Sequence, residues 1–156
     1  MADSALTLII LTPLAGAFLV ILAGRWPNLR EAVSIGTGLL LVAQIISVAP
    51  SVLDGSALRQ VIATPVPQLP LAFEFEPLGL LFGLIASSLW VITTIYAIGY
   101  MRGHNESNQT RFFVFFAIAI SAAMGVALAA NLFTLFVFYE LLTLSTYPLV
   151  THAGTV

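Results

Sequence analysis

Hydrophobic positions run in long blocks along this chain, and polar positions collect in the short intervals between them. The first block, Ala5 to Gly24, carries no charge. About 20 such residues, rising ~1.5 Å each, match a ~30 Å hydrocarbon core, so the pattern predicts a membrane-spanning helix over 5–24. It is preceded by Asp3 rather than by the basic region of a secretory leader, and is read as a retained helix. Similar blocks predict helices over 32–53, 77–100, 112–130 and 132–150. The last two come from one run, Phe112 to Val150, whose ~58 Å of helix would nearly cross two bilayer cores. That run has to turn once. Ala129-Ala130-Asn131 is the natural place, with Asn131 as the cap of the fifth helix. Pro77 suits a helix start, where its missing N–H costs nothing. The pairs Gly36/Gly38 and Gly79/Gly83 read as close helix packing, and Gln44 as an amide bonded to a neighbouring helix.

Between the second and third blocks the period changes. Leu71, Phe73 and Phe75 alternate with Ala72, Glu74 and Glu76, which predicts a short β-hairpin over 58–76 lying at the outer membrane surface. Pro65, Pro67 and Pro70 restrict it to edges and turns. The polar intervals RWPNLRE and MRGHNESNQTR read as interfacial loops. The fold class expected is therefore an all-α integral membrane protein, about five transmembrane helices in one domain spanning 1–156.

Composition sharpens this. Of 156 residues, 60% are hydrophobic and 8% charged, which excludes an ordinary soluble domain. There is no cysteine and no lysine, and the five bases are all arginine. No basic block offers a nucleic-acid footprint, and the two histidines have no metal-ligand spacing, so neither cofactor nor metal is expected. Arg25, Arg30, Arg102 and Arg111 fall on one side of a five-span layout and Arg59 on the other. The excess of bases places the N-terminus outside and the C-terminus in the cytoplasm. The two glycosylation-type triplets at 105–110 then sit in a cytoplasmic loop and mean nothing.

The candidate chemistry lies in the fifth block. Glu140 falls roughly 12 Å along that helix at ~1.5 Å per residue, close to mid-membrane, where an ionisable group costs at least ~2.5 kcal/mol and is usually kept for use. At ~100° per residue, Thr143, Tyr147 and Thr151 share its side, with Phe133, Phe136 and Leu144. The expectation is a carboxyl facing a protein interior or a water-filled path, because hydroxyls can hold water beside it and lipid cannot. Pro148 frees the Leu144 carbonyl and predicts a kink or break there. His152 is either a proton relay at the cytoplasmic end or an interfacial anchor, and His104 is read as solvated. A carboxyl held away from bulk water titrates nearer neutrality, which suits proton loading.

The segments YAIGYMRGH, RFFVFF and FTLFVFYELLTLSTYPLVTH resemble the antiporter-like, proton-translocating membrane subunits shared by Mrp-type monovalent cation/proton antiporters and respiratory complex I. The core around Glu140 carries the likeness, and the RGH loop and LSTYPLVTH ending incline it to the Mrp D-type subunit. The resemblance implies that Glu140 is the family's fifth-helix glutamate, working with a lysine on a later helix. It also implies that this chain is the N-terminal part of a longer subunit. The function expected is a membrane subunit of a multisubunit Na+/H+ antiporter, with other membrane subunits, the bilayer, protons and Na+ as partners. A proton-pumping subunit of a complex I-type NADH-quinone oxidoreductase or related membrane hydrogenase, itself without a redox centre, is the alternative. A non-transporting assembly subunit is the second alternative.

Overall fold

The computed structural model describes residues 3–55 and 58–152. Five helices and one hairpin follow in the order α1 (Asp3–Leu22), α2 (Pro27–Leu53), β1 (Leu58–Val66), β2 (Leu69–Phe75), α3 (Pro77–Gly103), α4 (Gln109–Ala127) and α5 (Leu132–Val150). All five helices are long and apolar enough to cross a membrane. The chain is a multi-pass membrane protein, with the small antiparallel sheet after the second helix.

Helix α1 is central. It packs on α2 and on α4, α2 carries α3 on its other side, and α5 lies against α4. The core runs along these seams through Leu6, Ile9, Val20, Leu41, Ile45, Trp90 and Met124. Pro13 is fully buried within α1, which continues past it. Small residues set the approach distances. A Cβ on Gly79 would stand 2.9 Å from the Ala127 carbonyl oxygen, and one on Gly83 would stand 3.4 Å from Ile45. The Gly79/Gly83 pair therefore serves packing inside the chain. Gln44 bonds the Thr12 hydroxyl of α1, as expected of a lone amide between helices.

The hairpin closes through Pro67-Gln68, with Gln68 at φ 68°, the positive φ that a type II turn takes at its third residue. The β2 edge of the sheet is sewn to the α4–α5 turn. There Glu74 N–H donates to the Leu128 carbonyl (2.8 Å), Ala130 N–H to the Ala72 carbonyl (3.0 Å) and Ala72 N–H to Thr134 Oγ1 (3.0 Å). Phe73 is wholly buried, edge-on to Phe138 with ring centroids 5.3 Å apart. Asn131 caps α5 by accepting the Thr134 N–H at 2.8 Å, and its amide also donates to the Pro70 carbonyl at 2.8 Å. One side chain thus ends the helical turn and pins the strand.

Two intervals read as loops are in part helical. RWPNLRE is the start of α2 from Pro27, a proline in the first turn, and α3 runs on to Gly103, so that the loop to α4 is short. The physical reason is an ionic cluster that lets charged residues continue the helices, described next.

Candidate functional site

Helix α5 meets the rest of the chain along a narrow seam. Thr134 and Ser145 are buried, and Phe138 seats its ring against Gly125 so tightly that any Cβ there would overlap it. Glu140 is two residues from Phe138, about 200° around the helix, and so points away from α4. It is exposed on the described chain and makes no ion pair or hydrogen bond among the described residues. The protein interior or water-filled path expected to receive Glu140 is not formed by the described residues of this chain. Helices α1 to α4 pack among themselves, and α5 joins them on the α4 side.

The stripe geometry is present. Thr143, Tyr147 and Thr151 lie on the same side as Glu140, with Phe136 and Leu144, and this side of α5 is largely uncovered. The hydroxyls of Thr143 and Thr151 donate to the carbonyls of Tyr139 and Tyr147, each at 3.0 Å. Their protons are spent on the backbone, so these oxygens present lone pairs to whatever lies beside the stripe. At the far end Tyr147, Pro148 and Thr151 line a groove of about 400 Å³ with Arg111 and Phe115 of α4. Helix α5 continues through Pro148 to Val150, so the interruption expected there is not a break in the helix. His152 lies with its ring 5.5 Å from that of Phe112, edge to face, and both ring nitrogens are buried without a hydrogen-bond partner among the described residues. His104 is exposed against Tyr100.

The charged cluster at this end of the bundle was not legible in the sequence. Arg102, at the end of α3, grips Glu31 of α2 with Nε–Oε1 at 2.9 Å and Nη2–Oε2 at 2.6 Å. Arg30 is 4% exposed and lies 3.5 Å from the same carboxylate. Its guanidinium donates to Thr110 Oγ1 (3.1 Å) and Gln109 Oε1 (2.8 Å) of α4, and stands 5.3 Å from the centre of the Phe113 ring. The adjacent Arg30-Glu31 pair, 71 residues before Arg102, was the available signal. Its meaning depends on where α3 ends. Among the described residues there is no group of three or more metal-ligating side chains.

No family model matches the chain. It is 33% identical over 89 residues to the A-type subunit of the Na(+)/H(+) antiporter of Alkalihalophilus pseudofirmus, a match covering 56% of this chain and 11% of that protein. It is 26% identical over 157 residues to the L-type subunit of the NADH-quinone oxidoreductase of Mycobacterium tuberculosis, covering 92% of this chain and 24% of that protein. The chain thus spans between about a tenth and a quarter of these relatives. In fold it is similar to a chain of the membrane-bound sulfane sulfur reductase, an archaeal respiratory membrane complex, with TM-score 0.79 and 21% identity, over 94% of this chain and 23% of that one. The antiporter relative is of the A type, which corrects the inclination to the D type read from the RGH loop and the LSTYPLVTH ending.

Proposed function

We propose, starting from homologues that belong to the A-type antiporter and L/5-type complex I families, that this chain is the N-terminal part of a membrane subunit of a multisubunit monovalent cation (Na+)/proton antiporter. In this reading Glu140 loads and releases the proton or cation. The observation that carries it is the position of Glu140 on the broad face of α5 that the chain leaves uncovered, in line with Thr143, Tyr147 and Thr151. A carboxylate in mid-membrane is tolerated only where protein or water receives it. The remainder of the subunit, or another member of the complex, therefore closes over this face and supplies the basic partner. His152 then serves as the relay at the arginine-rich end, which the bias of bases places in the cytoplasm.

A second reading, a proton-pumping subunit of a complex I-type NADH-quinone oxidoreductase, is favoured by the L-type relative, whose match covers nearly all of this chain. Both readings use Glu140 in the same way. The test is Glu140→Gln in the intact complex, which removes the titratable group at almost equal volume. Coupled flux is expected to be lost while the complex still assembles. Unchanged flux in an assembled complex would leave the assembly-subunit reading instead.

A further inference from the structure

The second concentration of charge lies away from the Glu140 stripe, where the first turns of α2 and α4 meet the last turn of α3. We propose that the cleft at this junction binds a phosphate-bearing anion, supplied in the membrane by the headgroup of an anionic phospholipid. The inference does not depend on the role of Glu140.

Charge balance is the first argument. The cluster holds two guanidiniums and one carboxylate, which receives the fork of Arg102 and stands 3.5 Å from Arg30. The nearest hydrogen-bond partners of Arg30 are the neutral groups of Gln109 and Thr110, and its Nε is buried with no partner among the described residues. One positive charge is left over.

Direction is the second. Arg102 turns Nε and Nη2 inward to Glu31 and Asn28, while Nη1 makes no hydrogen bond among the described residues and the side chain is 48% exposed. It lines a cleft of about 410 Å³ with Pro27, Asn28, Asn105 and Gln109. Among the described residues no carboxylate lines this cleft. By contrast, the cleft at the opposite end of the bundle is lined by Glu74 and Glu76. The first turns of α2 and α4 also carry no acid. The two N–H groups of Arg102 Nη1, which are left over from the fork on Glu31, can meet phosphate oxygens, and the amide N–H groups of Asn28 and Asn105 complete the donor set. Chemistry thus selects a phosphate, and position at the ends of membrane-spanning helices brings it to the level of lipid headgroups.

The experiment uses the full-length protein in its complex, delipidated and re-lipidated, with bound phospholipid counted by native mass spectrometry. The wild type is expected to retain phosphatidylglycerol in preference to phosphatidylcholine. Asn105→Asp places a carboxylate at the cleft while keeping a residue type that tolerates the left-handed backbone at φ 50°. It should reduce that retention at least five-fold, and Arg102→Lys should retain more lipid than Arg102→Gln. In a parallel arm without lipid, inorganic phosphate that binds the wild type but not Asn105→Asp, with no lipid preference, would assign the site to free phosphate. Equal retention of the two lipids together with no phosphate binding, or retention unchanged in Asn105→Asp, would overturn the proposal.

Discussion

Arg102 and Glu31 are joined by two parallel hydrogen bonds of 2.9 and 2.6 Å, which tie the end of α3 to the start of α2 across 71 residues of sequence. Glu31 is almost completely buried there, and Arg30 beside it is more so. A carboxylate between two guanidiniums offsets the cost of removing Arg30 from water. Without it, two like charges would share the site.

Glu31→Gln is therefore expected to destabilise the bundle more than Arg102→Gln. The first leaves a buried Arg30 and Arg102 facing each other, whereas the second leaves Glu31 still beside Arg30. Thermal unfolding of the purified complex checks this, with the Glu31→Gln midpoint lower by several degrees. A higher midpoint for Glu31→Gln than for Arg102→Gln would contradict it.

Gly125 is the seat of the Phe138 ring, and substitution to alanine forces that ring to move. Overpacking of this kind costs about 1–3 kcal/mol. Gly36→Ala is the control, since nothing lies within 4 Å of its added methyl. Gly125→Ala should loosen α5 from α4, seen as faster proteolysis of the segment after Ala127, and Gly36→Ala should not.

Asn131→Ala removes both the cap of α5 and the bond to the Pro70 carbonyl. The loss expected is about 1–2 kcal/mol, and it should fall on the hairpin as well as on the helix. Hydrogen exchange at Ala72 and Ala130, which bond across this junction, is the readout. Faster exchange at both positions is the expected result.

The uncovered face of α5 predicts a difference between the chain alone and the complex. The sequence contains no cysteine, so Leu144→Cys introduces a single thiol at a position 69% exposed in the chain. A membrane-permeant thiol reagent should label it readily in the isolated chain and at least several-fold more slowly in the assembled complex. Equal labelling would argue that no neighbour closes over Glu140.

Much of the fold was legible because membrane helices and hairpins are written in local patterns. The fifth helix starts after Asn131 and the hairpin occupies 58–75, as the apolar blocks and the period-two interval predict, since each depends on residues close in sequence. The start of α2 and the end of α3 were not legible. Their charged residues read as loop until Arg102 is seen to meet Glu31, and no local pattern reports a partner 71 residues away.

The candidate site divides in the same way. Sequence alone determined that Glu140, Thr143, Tyr147 and Thr151 share one side of a helix, because 3.6 residues per turn leaves no choice. Which side of α5 faces the bundle was decided by tertiary packing, through the fit of Phe138 on Gly125 and of Thr134 on β2. That fit turns the carboxyl outward from this chain, because a helix can present only one face to its neighbour, and here the close approach of two backbones chose it.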